Sequence, residues 1–332
     1  MLPEGACNDR FRADLDSVAP PGVRLGISLS GGPDSLALLL LAAAARPGMV
    51  EAATVDHALR PGSRGEAECA AVICEELGVM HTILTAEWPE PPATAVQERA
   101  RSERYRLLAA WAKQRGLDAV LTGHHADDQA ETLLMRLNRG AGVRGLAAMR
   151  ARSIVPGSDV PLLRPLLGWR RGELERICID AGIQAIADPS NADGRFERVR
   201  VRQALARSDD IDPAALAAAA GHLASADDAL DWAVEQEWRC AIEKRECALA
   251  YRPSDAPPEI LRRLVTRAIA AMASEASREP LRARELDPLI ATLARGGQAT
   301  LRGVVCAGGP EWRFSPAPPR RQVPSRRDGN PV

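Results

Sequence analysis

The sequence predicts an α/β fold, a parallel sheet with helices on both faces, followed by a smaller, mainly helical C-terminal domain. Two observations carry this. Short apolar strands alternate with helical patterns through the first half, and repeated β-α units of that kind close into a parallel sheet covered on both faces. After about Asp212 the texture changes to long Ala- and Leu-rich helical patterns. The 332 residues divide accordingly into an N-terminal extension (1–22), the sheet domain (23–210), the helical domain (211–315) and a Pro/Arg-rich tail (316–332) expected to be disordered.

Val23, Leu25, Ile27 and Leu29 form the first strand, which runs into a Ser/Gly loop. Ser35 to Ala45 reads as a helix ended by Pro47-Gly48. Val50 to Val55 is the second strand, ending at Asp56-His57. Ser63 caps the next helix, with Glu66 in the capping-box position and Gly78 closing it. His81 to Ala86 is the third strand, Thr94 to Arg115 a long amphipathic helix, and Leu117 to Thr122 the fourth strand. Asp127 to Asn138 is again helical, Pro161 to Leu167 reads as a fifth strand, and Arg171 to Ala181 as a helix before a loop at 187–194. Helices follow over Pro213 to Glu243, Pro258 to Ala273 and Arg282 to Arg295, then two short strands near 299–306 and 311–314. In the second of these helices Ile260, Leu261, Leu264, Val265, Ile269 and Met272 mark one apolar face.

A hydrophobic content of 46% and a charged content of 26% are ordinary for a soluble protein. The longest apolar run, Leu36 to Ala45, is too short to span a bilayer, which argues against a membrane protein. Met1-Leu2-Pro3-Glu4 lacks the basic-then-apolar pattern of a signal peptide. Seven scattered cysteines without metal-site spacing fit a reduced, cytoplasmic protein. The net charge of -1 hides an asymmetry: residues 136–207 carry 14 Arg against seven Asp and Glu. GC-rich codon usage and a solvated charged face account for such a stretch; clustered Arg also suits a polyanion.

The strongest chemical signal is Ser30-Gly31-Gly32-Pro33-Asp34-Ser35 between a strand and a helix. Glycines let backbone approach a polyphosphate, successive N–H groups form an anion nest, and the helix N-terminus adds donors and partial positive charge. Ser30 and Ser35 add hydroxyls, and Asp34 can hold Mg²⁺. The loop has no lysine, so it is not a Walker A motif. Asp56 and His57 sit at a strand C-terminus, where ligands bind in such sheets. Arg101 and Arg104 share a helix face, whose bland alternative is a solvated basic surface. Gly123-His124-His125 ends a strand and precedes Asp127, Asp128 and Glu131 on a helix. No third metal ligand is placed by spacing, so nucleotide and acid–base contacts suit the histidines better; the acids also compensate helix N-terminal charge.

The Ser/Gly loop resembles that of the N-type ATP pyrophosphatases, the PP-loop enzymes, which cleave ATP between the α and β phosphates. Within that superfamily, further motifs resemble the lysidine synthetases: Asp56-His57-Ala58-Leu59-Arg60 with Ser63 and Glu66; Gln97, Ala100, Arg101, Arg104 and Tyr105; Gly123 to Thr132; Leu137 to Gly140; and Gly145 to Met149. So do Arg164-Pro165-Leu166-Leu167, Asp188-Pro189-Ser190-Asn191 and Arg198-Val199-Arg200-Val201-Arg202, where Val199 replaces the usual Asn. The resemblance spans roughly Val23 to Leu205.

It implies an adenine-nucleotide hydrolase-like fold and an ATP- and Mg²⁺-dependent ligase. Its substrates would be free L-lysine and the wobble cytidine of the tRNA(Ile) with a CAU anticodon, adenylated before lysine attacks. It places Asp34, Arg101, His125 and Asp128 in catalysis, Asp34 also on the metal, and Ser30 to Ser35, Asp56, His57 and Gly123 around the nucleotide. Arg104, His124, Asp127, Glu131, Arg198, Arg200 and Arg202 fall to the substrates, with the helical domain against tRNA. Arg198, Arg200 and Arg202 alternate, as on one face of an extended segment, and structural salt bridges fit that spacing equally. A homodimer is compatible with this reading. A tRNA thiolase with an iron–sulfur centre needs a Cys-x-x-Cys pair that this chain lacks. An amidating synthetase would call for a glutaminase domain. A binding module without turnover is disfavoured by the intact Ser30, Asp34, Ser35 and His125.

Overall fold

The computed structural model describes residues 2–59, 62–88, 94–185, 195–208, 210–274, 281 and 283–318. Arg60, the loop with Asp188-Pro189-Ser190-Asn191, and the tail beyond 318 lie outside the described residues. The chain forms two compact units, Met1–Ser225 and Ala226–Val332.

In the first unit the predicted alternation is present: β1 (Leu25–Ser28), α2 (Pro33–Ala45), β2 (Val50–Asp56), α3 (Ser63–Glu76), β3 (Met80–Thr85), α4 (Val96–Arg115), β4 (Ala119–Leu121) and α5 (Ala126–Asn138). A short α6 (Val143–Leu146), β5 (Arg152–Ile154), β6 (Pro161–Leu163), α7 (Arg171–Asp180) and α8 (Glu197–Ala206) follow. The sheet order is β3-β2-β1-β4-β6-β5, parallel except for β5, which pairs antiparallel with β6. From β1 the chain winds outward through β2 and β3, then returns to the other side of β1 as β4. The loops leaving β1 and β4 therefore diverge and open a crevice at their carboxyl ends, the place where open α/β sheets bind ligands.

α2 is apolar all round because it is covered all round. Leu36 and Leu38 to Leu41 are fully buried, with β1 and β2 on one side and α1 (Gly5–Val18) and α7 on the other. Each such burial contributes about 1.5–3 kcal/mol. The segment read as an N-terminal extension supplies α1, whose Phe11 and Leu15 are buried in this same core. Its signal was weak: α1 places its few apolar residues among polar ones and is anchored by specific contacts. The Trp169 indole donates to Asp14 at 2.8 Å, and the Arg10 guanidinium lies 4.1 Å over the Trp169 ring. On the opposite face Trp111 of α4 packs over Gly26, where a Cβ would stand 2.6 Å from the indole.

The run Arg198 to Arg202, expected to be extended, is helical within α8. Arg198 and Arg202 therefore share one face at i, i+4, and Arg200 turns away from it. Salt bridges to α5, described below, hold that conformation.

The second unit begins within α9 (Pro213–Ala241). It is helical as predicted in α10 (Pro258–Met272) and α11 (Ala283–Ala294), and adds a five-stranded antiparallel sheet. That sheet comprises β7 (Ile242–Arg245), β8 (Ala248–Tyr251), β9 (Gln298–Leu301), β10 (Val304–Ala307) and β11 (Trp312–Pro316), in the order β7-β8-β11-β10-β9. The stretch read as one strand near 299–306 is a hairpin. Its two-residue turn, Arg302-Gly303, has positive φ at both positions (53° and 73°), the geometry that suits the twist of paired strands. Ile260, Leu264, Val265 and Ile269 of the predicted apolar face are buried against Tyr251, Trp312 and Phe314.

Candidate active site

The Ser/Gly loop leaves β1 at the switch point and caps α2. Gly31 takes φ 79°, Gly32 is the helix N-cap residue, and Pro33 opens the first turn, where its missing N–H costs nothing. The two serines fix the loop. The Ser35 hydroxyl donates to the Gly32 carbonyl (3.0 Å) and accepts from the Ser30 N–H (3.1 Å), and the two hydroxyls lie 3.0 Å apart. Gly123, after β4, presses against this turn: a Cβ there would stand 2.8 Å from the Asp34 carbonyl oxygen and 3.1 Å from the Ser35 nitrogen. Its need for glycine is thus close backbone approach.

Beyond the loop lies an acidic pole. His125, N-cap residue of α5, is 2% exposed. Its ring nitrogens stand 3.5 Å from carboxylate oxygens of Asp34, Asp127 and Asp128. Burial alone would lower its pKa; the three carboxylates outweigh burial, push it up to about 10 and hold the ring protonated. Asp127 accepts from the Arg171 N–H (2.9 Å) and the Arg170 guanidinium (3.2 Å). Burial opposes these contacts and His125, which together hold Asp127 below the usual carboxylate range. Asp128 accepts from the His125 N–H (3.2 Å) and from Arg198 (3.0 Å). Glu131, 1% exposed, accepts from Arg198 Nε at 2.7 Å and Arg202 Nε at 2.6 Å. Arg198 and Arg202 thus clamp α8 to α5. Arg200 is exposed and donates to the Arg195 carbonyl at 2.8 Å.

A basic pole lies on the other side. Arg101 donates to the Tyr105 hydroxyl at 3.2 Å, and the Arg104 guanidinium lies 5.1 Å from the centre of the same ring. Arg164, at the end of β6, is 8% exposed and also interacts with the Tyr105 hydroxyl. His124 Nδ1 meets the Thr122 hydroxyl at 2.9 Å. Burial, then Arg164, Arg104, Arg198 and Arg101, hold His124 well below its ordinary pKa, so the ring is neutral. Burial, and then Arg104, lower His57 as well. The His57 carbonyl is fixed by the Trp88 indole at 2.7 Å. Asp56 spends one carboxylate oxygen on the Ala58 N–H (2.9 Å) and the Ser63 hydroxyl (2.6 Å), so it shapes the loop after β2.

Asp34 Oδ1 is buried without a hydrogen-bond partner, beside the loop nest. An orphaned carboxylate oxygen in that position fits Mg²⁺, which is characteristically held by one or two carboxylates plus substrate phosphates. Among the described residues no three His, Cys, Asp or Glu side chains are grouped as a metal cage, and a Mg²⁺ of this kind needs none. Tyr105 and Arg164 were visible only as parts of motifs. Trp88 and Arg170 carried no signal, because their contacts are with residues distant in sequence.

A strand–Ser/Gly loop–helix at the switch point of a parallel sheet defines a nucleotide-binding α/β protein with the phosphate nest of a PP-loop. The model of the PP-loop domain family matches residues 8–208. The tRNA(Ile)-lysidine synthase of Novosphingobium aromaticivorans is 49% identical over 314 residues, 94% of each chain. That of Zymomonas mobilis is 41% identical over 326 residues, 97% of each chain. The U34-tRNA thiolase NcsA of Methanococcus maripaludis, solved with its [4Fe-4S] cluster, shares the fold. Its TM-score is 0.56 at 17% identity, over 66% of this chain and 77% of its own. The chain belongs to the tRNA(Ile)-lysidine synthase family of PP-loop enzymes, which are ATP-dependent ligases.

Proposed function

We propose that the protein joins free lysine to C2 of the wobble cytidine of CAU-anticodon tRNA(Ile), through an adenylated tRNA, releasing pyrophosphate and then AMP, in the cytoplasm. The observation that carries this is the pairing of a phosphate nest with an acidic pole across Gly123. The loop N–H groups, the Ser30 and Ser35 hydroxyls and the α2 N-terminus hold the departing pyrophosphate. Asp34 would hold Mg²⁺, which supplies charge neutralisation at the phosphates. Arg101 and Arg104 steady the phosphate that stays with the tRNA. The wobble base reaches the crevice at small cost, because an anticodon loop is single-stranded.

Lysine carries an ammonium with a pKa of about 10.4 and must lose a proton before it attacks. His125 is already protonated and cannot take that proton at neutral pH. Asp127 is committed to Arg170 and the Arg171 N–H. Asp128, held by Arg198 and the His125 N–H, is our candidate to bind the ammonium and receive the proton, with Glu131 behind it. His125 is a positioning residue: its Nε2 stands 3.5 Å from a carboxylate oxygen of both Asp34 and Asp128.

The test is incubation with ATP, lysine and a tRNA(Ile) transcript, followed by nucleoside mass spectrometry. Lysidine at the wobble position is expected, with tRNA-dependent pyrophosphate exchange before lysine is added. Exchange without tRNA, or no lysidine, overturns the reading.

A further inference from the structure

Three arginines are buried among the described residues: Arg46, Arg164 and Arg263. Arg46 pairs with Asp16, and Arg263 with Asp227, Asp231 and Glu259. Arg164 pairs with no carboxylate among the described residues. Its Nη1 donates to the Arg150 carbonyl (2.8 Å) and the Ser153 hydroxyl (2.9 Å), which aims the guanidinium, and its Nε is buried without a partner. Arg104 likewise has a buried Nε without a partner, and Arg101 has no carboxylate among the described residues. These three guanidiniums gather on one phenol, Tyr105, itself 1% exposed. Arg164 is buried, Arg104 half-buried and Arg101 exposed; a single neutral hydroxyl cannot offset these cations, and for the buried ones uncompensated charge is costly. The neighbouring His124 adds no negative charge.

Arg164 directly follows β6 and the other three residues lie on α4; the neighbouring His124 stands one residue beyond the glycine that touches the phosphate loop. We infer that Arg164, with Arg101, Arg104 and Tyr105, is a preformed cradle for a phosphate anion, and that Arg164 is a substrate-contacting residue. Guanidiniums suit this ligand because their planar donor forks match phosphate oxygens. The inference rests on the reading that a nucleotide and an RNA strand meet in this crevice. Two sources offer the same chemistry, the α-phosphate of the adenine nucleotide and a phosphodiester of the RNA strand.

The experiment compares AMP with adenosine by calorimetry on the full chain, without tRNA or lysine, so failure to form lysidine would leave its result intact. A parallel arm measures anticodon stem-loop RNA binding across salt. Arg164→Gln is expected to weaken AMP at least about tenfold and leave adenosine unchanged. A loss confined to RNA, with the salt slope reduced by about 0.7, assigns the cradle to a phosphodiester. Arg164→Gln also loses its hydrogen bonds to the Arg150 carbonyl and the Ser153 hydroxyl, so Arg104→Gln, which gives up only its contact with Tyr105, repeats both arms. Wild-type AMP preference and wild-type salt slope in a folded Arg164→Gln or in Arg104→Gln overturn the proposal.

Discussion

The clamp between α5 and α8 makes a quantitative prediction about Glu131→Gln. The carboxylate is nearly inaccessible and accepts at 2.7 Å from Arg198 and at 2.6 and 3.3 Å from Arg202. Hydrogen bonds to charged groups contribute about 1.5–3 kcal/mol each, and breaking a fully buried pair costs about 3–5 kcal/mol. The two arginine side chains keep 37% and 31% of their exposure, so they regain water when the carboxylate is neutralised. That discounts the cost to about 2–3 kcal/mol, or roughly 5–10 °C in Tm for a unit of this size. Arg202→Gln costs less, about 1–2 kcal/mol, because Glu131 keeps Arg198. A double-mutant cycle in urea should give a coupling of at least about 1 kcal/mol between Glu131 and Arg202. The salt slope of tRNA binding should be unchanged in Arg202→Gln. A flattened slope at unchanged Tm would show that Arg202 meets phosphate and that the clamp reading is wrong.

Gly123→Ala would place a methyl 2.8 Å from the Asp34 carbonyl oxygen, a backbone atom that cannot swing aside. Its overpacking cost is about 1–3 kcal/mol, and KM for ATP is expected to rise at least about tenfold; wild-type ATP affinity would mean that β4 slides to accommodate it. His125 is raised to about 10 in the folded protein from an ordinary value of about 6.5. Its contribution to stability is therefore complete below about pH 6.5 and fades as pH rises toward 10. His125→Asn should remove that part of the alkaline decline in Tm, and an equal decline in both proteins would refute the assignment. Asp34→Ala should abolish tRNA-dependent pyrophosphate exchange at little cost to tRNA affinity at fixed salt; a large affinity loss would place Asp34 on the RNA.

Legibility followed the range of the interactions. β1 to α5 were readable because local periodicity and caps coincide with burial: Val50 to Val55 is a strand in both the pattern and the sheet. The loop was readable because its chemistry lies within six consecutive residues. α1 was missed because its burial depends on Trp169, more than 150 positions away, through the Asp14 and Phe11 contacts. β7 and β8 were missed because a strong helical pattern ran into them. The β9–β10 hairpin was merged because Arg302-Gly303 is not among the usual turn pairs. α8 was misread because alternating arginines look extended until Glu131 and Asp128 are known to face them.

That last error bears on what the charge asymmetry means. An excess of arginine over residues 136–207 suggests a face for a polyanion, yet several of those side chains are taken up by partners within the fold. Arg136 binds the carbonyls of Gly145 and Ala148, Arg139 pairs with Glu197, and Arg171 pairs with Glu175. Arg170 serves Asp127 and Asp212, and Arg198 and Arg202 serve Glu131. The acids that receive several of these arginines belong to α5, in the acidic half of the sequence, so the two biased stretches neutralise each other in space. On the proposed reading, the carboxylates beside His125 receive the ammonium, and the guanidiniums beside Tyr105, which pair with no carboxylate among the described residues, receive phosphate. On that reading, a nucleophile that arrives as a cation and an electrophile activated by an anion need opposite fields, and the two histidines that follow Gly123 face one each: His125 stands against the carboxylates and His124 beside the guanidiniums.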